Sequence, residues 1–277
     1  MRERSFKQVD VFSAHPTLGN PVAVVLEAEG LTDADMAAFA RWTNLSETTF
    51  VLPPTCPQAD YRLRIFTPSG ELPFAGHPTL GSCHAWREAG GSPRTSARIV
   101  QECEIGLVTI REQDGGLAFA APELRRSGPL TETDRSQIMT SLGIPDELIV
   151  DMQWVDNGPG WIGVQLTHAD HVFGLTPDFR AMAGYKVGVI GLRDNSDTAA
   201  EVRAFAPSLG TGEDPVTGSL NAGLAQWLVG NGTLPSRYVA AQGTCLGRAG
   251  RICVEQVGET IWVGGDTVAT IDGVVSL

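Results

Sequence analysis

The sequence has 277 residues, of which 42% are hydrophobic and 19% charged, which is typical of a globular chain rather than a disordered or fibrous one. It carries 20 basic and 32 acidic residues, a net charge of −12. A nucleic-acid surface needs clustered lysine and arginine to displace counterions, so we expect no nucleic-acid partner.

The beginning of the chain has no apolar leader, and no apolar run approaches the roughly 20 residues that span a bilayer. The five cysteines form an odd set without C-x-x-C spacing. Neither a disulfide framework nor a zinc knuckle is indicated by such a set. We therefore expect a cytoplasmic protein that has reduced thiols, no metal and no membrane partner.

The first half of the chain is predicted to contain strands and two helices. Thr32 is a plausible N-cap for a helix that continues to Trp42, and Pro78 opens a second helix that runs to Glu88. Asp114-Gly115-Gly116 predicts a hairpin turn. Alternating or β-branched residues predict strands at Lys7–Ser13, Val22–Leu26, Thr48–Leu52, Tyr61–Phe66, Arg98–Gln101 and Leu107–Arg111.

A break in the pattern at Pro122–Pro129 predicts a linker, and we divide the chain there into an N-terminal lobe, 1–125, and a C-terminal lobe, 126–277. Helices are predicted at Thr131–Leu142 and from Pro215 to Val229. His168 and His171 are three residues apart but have no third ligand nearby, which favours a polar loop over a metal pair. The predicted strands are Leu148–Val155, Trp161–Leu166, Tyr185–Leu192, Glu201–Phe205, Tyr238–Ala240, Arg251–Glu255, Thr260–Val263 and Val268–Val275.

The two halves contain similar segments. His77-Pro78-Thr79-Leu80-Gly81-Ser82 and Asp214-Pro215-Val216-Thr217-Gly218-Ser219 share proline, glycine and serine at the same offsets. Upstream, Phe66-Thr67-Pro68-Ser69 matches Phe205-Ala206-Pro207-Ser208, and Gly19-Asn20-Pro21 resembles Asn157-Gly158-Pro159. We infer two homologous lobes built from one ancestral unit.

In each repeat a strand and a short loop precede a helix with proline at its first position, so His77 and Asp214 are predicted N-caps. Unpaired amides at a helix start favour an anion such as a carboxylate. If the lobes are related by a pseudo-two-fold axis, both helix starts point into one cleft. Taken singly, Asp214 is more often a plain N-cap and His77 a structural histidine, but their equivalent places favour a functional role.

Glu47 lies where a helix gives way to a strand, among uncharged neighbours. On local sequence alone it is a solvated carboxylate at the start of a strand. A proton-shuttling carboxylate needs an apolar setting, because desolvation raises the pKa of a carboxyl group toward neutrality. Glu47 is therefore our candidate acid/base.

Several blocks together resemble the PhzF phenazine-biosynthesis family, and they span both lobes. The resemblance implies an α+β fold of the diaminopimelate-epimerase type, with two pseudo-symmetric lobes, each a barrel-like β-sheet around a central helix, and an active site between them. It also implies a homodimer without a cofactor. The blocks are Gly19-Asn20-Pro21, Ser46-Glu47-Thr48-Thr49-Phe50, Glu71-Leu72-Pro73-Phe74-Ala75-Gly76-His77-Pro78, Glu213-Asp214-Pro215-Val216-Thr217-Gly218-Ser219 and Gln242-Gly243.

By this resemblance, Glu47 moves a proton and His77 and Asp214 assist it as catalytic residues. The implied reaction is a cofactor-independent isomerisation that shifts a proton or double bond in a small carboxylated metabolite. Such a metabolite is a dihydroaromatic or unsaturated cyclic amino acid in secondary-metabolite or antibiotic biosynthesis. The implied substrate-binding residues are Asn20, Gly76, Gly218 and Ser219.

The alternative is a non-catalytic small-acid-binding or scaffold protein that retains the fold. A decayed enzyme is expected to lose at least one of Glu47, His77 and Asp214, and all three are present. The chain departs from the family at Val216 and Leu220, which replace common alanines and predict a narrower pocket. Ala249-Gly250 stands where the family usually has Pro-Ser.

Overall fold

The computed structural model describes residues 1–96, 98–113, 116–194, 196–209 and 211–277. The predicted turn residues Asp114 and Gly115 lie outside these ranges. Within them the helices are α1 (Asp33–Thr43), α2 (Gly76–Glu88), α3 (Glu132–Leu142), α4 (Ala169–Phe173) and α5 (Gly218–Leu228). The strands are β1 (Glu3–Val11), β2 (Asn20–Val25), β3 (Thr48–Leu52), β4 (Tyr61–Thr67), β5 (Gly70–Leu72), β6 (Ile99–Cys103), β7 (Gly106–Gln113), β8 (Gly116–Ala120), β9 (Arg126–Pro129), β10 (Ile149–Asp156), β11 (Trp161–Leu166), β12 (Lys186–Leu192), β13 (Ala200–Ala206), β14 (Thr211–Asp214), β15 (Arg237–Gln242), β16 (Gly250–Val257), β17 (Thr260–Gly265) and β18 (Thr267–Ser276).

The chain divides into two compact units, residues 1–120 with 264–277, and residues 121–263. The C-terminal segment, which the sequence placed in the second lobe, lies in the first unit because β18 pairs antiparallel along all of β1. The segment predicted as a linker contains β9, which pairs with β10. Both differences arise from strand pairings between residues far apart in the sequence.

The two units repeat one order of strand pairing. In the first unit β1–β2 is antiparallel, β2–β3 parallel and β3–β4 antiparallel, and β4 takes β5 antiparallel and β6 parallel. The second unit repeats these directions in the same order. There β10–β11 is antiparallel, β11–β12 parallel and β12–β13 antiparallel, and β13 takes β14 antiparallel and β15 parallel. This order confirms the internal repeat that the sequence predicted.

Helix α2 is the central helix of the first unit. It contacts β1, β2, β3, β4, β8 and β18, and most of its residues are buried. Gly81 allows close approach, because a Cβ there would lie 2.4 Å from Cγ1 of Val22 in β2. Helix α1 packs on the other face of the sheet, where Met36 and Phe39 join a cluster that includes Phe50 and Phe66.

Helix α5 has the corresponding place in the second unit. It contacts β10, β11 and β16, and each of its residues except Gln226 is buried. Helices α3 and α4 cover the outer face, where Ile138, Leu142 and Val172 pack with Val164 and Phe205. Each unit is thus a curved sheet with one helix inside and others outside, so the α+β class is confirmed.

Threonine caps begin two of the outer helices. Thr32 accepts a hydrogen bond from Asp35 N at the start of α1, as predicted, and Thr131 accepts one from Asp134 N at the start of α3. A threonine that accepts from the third helical amide stabilises a helix by about 1 kcal/mol. Over the described ranges, no helix combines the length and the apolar character that crossing a bilayer requires.

Candidate active site

The two repeated helices do not begin where the sequence predicted. Helix α2 begins at Gly76 with Ala75 as its N-cap, so His77 is the second helical residue. Helix α5 begins only at Gly218 with Thr217 as its N-cap, which leaves Asp214 at the end of β14. The prediction that His77 and Asp214 are N-caps was therefore wrong.

The first unit brings four of the predicted site residues together. Glu47, just before β3, places Oε2 3.2 Å from Nε2 of His77. Nδ2 of Asn20, the first residue of β2, lies 3.3 Å from Nδ1 of the same ring. Glu47, His77 and Asn20 are 9%, 4% and 0% exposed, and Gly76 precedes His77 at the buried start of α2. This cluster is a carboxyl group, an imidazole and an amide in a nearly dry setting.

The imidazole of His77 is uncharged at neutral pH. Burial lowers the pKa of His77 from 6.5 to about 3, and a hydrogen bond with the backbone of Pro21 offsets only part of this effect. The contact with Glu47 is therefore between a carboxyl group and a neutral ring rather than an ion pair. A neutral imidazole has one donor and one acceptor nitrogen, so it can orient a neighbouring carboxyl group without competing for its proton.

The second unit holds Asp214 in a network around the start of α5. Oδ2 of Asp214 accepts a hydrogen bond from the Thr217 hydroxyl at 2.5 Å. Nε2 of Gln242 donates to the Thr217 hydroxyl oxygen at 3.0 Å and to the Asp214 carbonyl at 3.1 Å. The carboxylate of Asp214 is thus tied to its own loop on the side of Thr217.

Ser219, the second residue of α5, has two buried partners. Its hydroxyl oxygen accepts a hydrogen bond from Nε1 of Trp161 at 3.0 Å, and its carbonyl accepts one from Nδ2 of Asn157 at 2.8 Å. Ser219 is 6% exposed and the preceding residue, Gly218, is buried as well. The second unit therefore brings Asp214, Gly218 and Ser219 to one helix start.

An arginine–glutamate pair braces the strand hairpin that precedes each helix. Arg64 in β4 donates to both carboxylate oxygens of Glu71 in β5, at 2.7 and 2.5 Å. Arg203 in β13 donates to both oxygens of Glu213 in β14, at 2.9 and 2.7 Å. Bidentate pairs of this kind fix geometry as well as charge, so each pair holds the two strands of its hairpin together.

The residues that depart from the family pattern lie in the core of the second unit. Val216 and Leu220 are both fully buried. A Cβ at Gly188 would lie 2.2 Å from Cδ1 of Leu220, and one at Gly250 would lie 2.5 Å from Cγ2 of Val216. The two larger side chains fill the space that two glycines leave, and both side chains pack into the core of the unit.

Sequence reasoning missed Asn157, Trp161 and Gln242 as members of the site. Asn157 and Gln242 stood in a repeat and in a family block, but nothing local showed what they contact. His168 and His171 were predicted to lie in a loop, whereas His168 caps α4 by accepting from Asp170 N and His171 lies within that helix. In the part of the chain that the structure describes, no group of three or more His, Cys, Asp or Glu side chains is arranged to hold a metal ion.

Comparisons with known proteins agree with this architecture. The family model for phenazine biosynthesis-like proteins, PhzC-PhzF, matches residues 9–273. The chain is 37% identical to Antisense-enhancing sequence 1 of Schizosaccharomyces pombe over 99% of both proteins. It is 35% identical to the trans-2,3-dihydro-3-hydroxyanthranilate isomerase of Pseudomonas fluorescens, over 82% of this chain and 80% of that protein.

The fold has a close counterpart among crystal structures. A PhzF-family phenazine biosynthesis protein from Enterococcus faecalis matches with a TM-score of 0.82 and 25% identity, and the match covers 100% of both chains. Sequence and fold thus agree over nearly the full length. The chain belongs to the PhzC-PhzF family of phenazine biosynthesis-like proteins and is an isomerase of that family.

Proposed function

We propose that this isomerase moves a proton within a small carboxylated metabolite, with Glu47 as the shuttle. The observation that carries the proposal is the pairing of a carboxyl group that is 9% exposed with a neutral imidazole at 3.2 Å. A carboxyl group in such a setting can take a proton from one carbon and give it to another, and the proton that it carries exchanges with solvent deuterium between turnovers. His77 is then an orienting partner of Glu47, and no cofactor takes part.

The proposed reaction leaves the composition of the substrate unchanged. Glu47 as carboxylate removes a proton from a carbon next to an unsaturated system, so that the C–H bond breaks and its electron pair forms a new double bond. The original double bond moves its electron pair to a more distant carbon. That carbon takes the proton back from Glu47, which completes a shift on one face of the substrate.

Substrate binding is assigned to the remaining groups of the two clusters. Ser219 offers a hydroxyl group, and Gly218 and Gly76 offer main-chain amides at the starts of α5 and α2. Such amides and the helix dipole favour a carboxylate. Asp214 and Asn20 supply polar side chains that bind other polar atoms of the substrate, and Asp214 assists the proton movement.

The substrate class is proposed from the relatives. The isomerase from Pseudomonas fluorescens is named for trans-2,3-dihydro-3-hydroxyanthranilate, a dihydroaromatic amino acid. We propose that this chain acts on a dihydroaromatic or unsaturated cyclic amino acid in secondary metabolism, as a cytoplasmic homodimer. Size-exclusion chromatography with light scattering checks the dimer, which gives twice the chain mass of 29.4 kDa.

Solvent-deuterium incorporation tests the role of Glu47. The wild-type protein is incubated in heavy water with trans-2,3-dihydro-3-hydroxyanthranilate and a panel of unsaturated cyclic amino acids, and substrate and product are examined by NMR. Glu47→Gln, which keeps the shape but cannot take a proton, lowers turnover and deuterium incorporation by at least about a hundredfold. Full incorporation in this variant overturns the assignment, and Glu29→Gln, a change at an exposed glutamate of the same unit, is the matched control.

A further inference from the structure

The amide side chain of Gln242 uses its full hydrogen-bonding capacity on one short segment. Its oxygen accepts from Thr217 N at 3.1 Å and from Nδ2 of Asn221 at 2.8 Å. Its nitrogen donates to the Asp214 carbonyl at 3.1 Å and to the Thr217 hydroxyl oxygen at 3.0 Å. Gln242 is 1% exposed. A primary amide has two donors and about two acceptor sites, so none is left over.

These bonds determine the direction of the hydrogen bond to Asp214. A backbone N–H can only donate, so the atom of Gln242 that faces Thr217 N must be the oxygen, and the nitrogen must face the Thr217 hydroxyl. Because that hydroxyl already accepts from Gln242, its single proton goes to Oδ2 of Asp214. Gln242 thus sets the orientation of the Asp214 carboxylate through Thr217.

The same bonds prevent Thr217 from capping α5. Thr32 and Thr131, at the N-cap of α1 and α3, accept from the third helical amide, whereas Thr217 at the N-cap of α5 makes no side-chain cap. All three residues are threonines at the N-cap of their helix. The difference follows from Gln242, which donates to the Thr217 hydroxyl oxygen and so leaves the hydroxyl group turned to Asp214.

An uncapped helix start is available to an anion, and Ser219 gives a second, independent indication of a ligand there. The Ser219 hydroxyl oxygen accepts from Trp161, so its proton is free to be donated elsewhere. Among the hydrogen bonds of the described residues, that proton has no acceptor, although Ser219 is only 6% exposed. A buried hydroxyl donor beside uncapped amides suits a group that only accepts, such as a carboxylate.

The turn after Gln242 is built against the same loop. Gly243 has φ +90, and a Cβ there would lie 2.7 Å from the Pro215 carbonyl oxygen and 2.8 Å from Cβ of Arg248. The backbone of this turn therefore approaches the Asp214–Thr217 segment more closely than any other residue type would allow. This contact fixes the end of β15 and with it the position of the Gln242 side chain.

We propose that Gln242 is a positioning residue that draws Thr217 onto Asp214 and thereby keeps the first-turn amides of α5 open for the acidic group of the substrate. This inference rests on the proposed function, in which Asp214, Gly218 and Ser219 bind that substrate. It adds Gln242 as the residue that positions these three for binding. It also explains why α5 begins later than the sequence repeat predicts.

Amide hydrogen exchange, measured by NMR without substrate, distinguishes this role from simple structural support. In Gln242→Leu the Thr217 amide loses its acceptor and exchanges faster, while Thr217 is released to cap the Leu220 amide, which exchanges about five to ten times more slowly. Mere loss of support speeds exchange at both amides or leaves Leu220 unchanged, and either result overturns the proposal. Thr217→Ser keeps the hydroxyl group and retains the wild-type pattern.

Two further variants keep the test decisive. Gln101→Leu removes a matched buried glutamine of the first unit, which donates to the Thr79 hydroxyl at 3.0 Å, and leaves exchange in α5 unchanged. If Gln242→Leu does not fold, Gln242→Glu keeps the acceptor for Thr217 N but removes both donors. It slows exchange at Leu220 without speeding it at Thr217, and unchanged exchange at Leu220 overturns the proposal.

Binding of anthranilate, a stable aromatic carboxylate, separates this inference from the proposed function. Titration calorimetry gives a Kd about tenfold weaker for Gln242→Leu than for wild type and Thr217→Ser, because the cap occupies the anion site. An unchanged Kd together with a capped Leu220 amide overturns the link between Gln242 and binding. If the wild type does not bind anthranilate, the proposed substrate class fails, and the exchange pattern alone decides the role of Gln242.

Discussion

A buried histidine that stays neutral beside a buried glutamate is the central feature of the first unit at the scale of single residues. His77 is 4% exposed and its ring contacts Glu47 on one side and Asn20 on the other. Desolvation disfavours the protonated ring, which lowers its pKa to about 3. In the function that we propose, Glu47 is therefore the group of this cluster that carries the proton.

This shift predicts that His77 makes the free energy of unfolding depend on pH. Below pH 6.5 the unfolded chain protonates this histidine, whereas the folded chain does not until about pH 3, so the free energy of unfolding falls as the pH drops through this window. One such group contributes a slope of up to about 1.4 kcal/mol per pH unit. Urea unfolding of His77→Gln between pH 4 and 6.5 shows a slope smaller by that amount.

His84 provides the control for this prediction. It lies on the same helix, and burial lowers the pKa of His84 as well. The side chain is only partly buried, however, and the neighbouring Glu88 raises this pKa, which offsets part of the effect. His84→Gln therefore reduces the slope less than His77→Gln does. Equal slopes for His77→Gln and wild type contradict a neutral His77.

Among the packed helices and strands, the contact of α5 with β12 shows how the second unit makes room for the leucine at position 220. Leu220 of α5 lies against Gly188 of β12, and both belong to the buried interior of the second unit. A glycine inside a strand usually has a structural cause, such as the close approach of another group. Here the reason is the side chain of Leu220, which lies against the glycine.

This packing predicts strong coupling between the two positions. Gly188→Ala overpacks the contact and lowers the free energy of unfolding by about 1–3 kcal/mol, and Leu220→Ala leaves a cavity that costs about 2–5 kcal/mol. In the double variant the new methyl group occupies part of the cavity, so its loss is smaller than the sum of the two. Chemical denaturation of all four proteins measures the coupling, and additive losses contradict the contact.

At the scale of the whole molecule, each unit is completed by a strand beside the first strand of its repeat. In the first unit this strand is β18, from the C-terminal end of the chain, and in the second it is β9, which directly follows the first unit in sequence. The repeat is therefore regular in space but not in sequence. Residues 264–277 thus belong to the first unit although the whole second unit separates them from it in sequence.

Removal of the C-terminal segment tests this arrangement. A chain that ends at Val263 leaves the β18 side of β1 without its strand, so we expect the amides of β1 and β2 to lose protection. Those of β10 and β11 keep it, because β9 remains in place. Hydrogen exchange followed by mass spectrometry reports both sets, and protection of β1 equal to wild type contradicts the role of β18.

Features that depend on neighbouring residues could be predicted from the amino-acid sequence. Buried β-branched runs predicted Thr48–Leu52 and Trp161–Leu166 to the residue, and the Thr32 cap predicted α1 to within one residue at each end. These signals are local, since alternation, capping and β-branching act over a few positions. The matching blocks of the two halves also predicted the repeat, because a duplicated unit folds in the same way twice.

Three features could be seen only in the folded chain: where α5 begins, which unit contains residues 264–277, and the strand within Pro122–Pro129. Each depends on a partner far along the chain, respectively Gln242, β1 and β10. A short strand or a helix start has little preference of its own, so the hydrogen bonds available from distant segments determine its form. For the same reason the sequence could offer Glu47, His77 and Asp214 only as candidates, while the contacts that Asn157, Trp161 and Gln242 make became visible only in the fold.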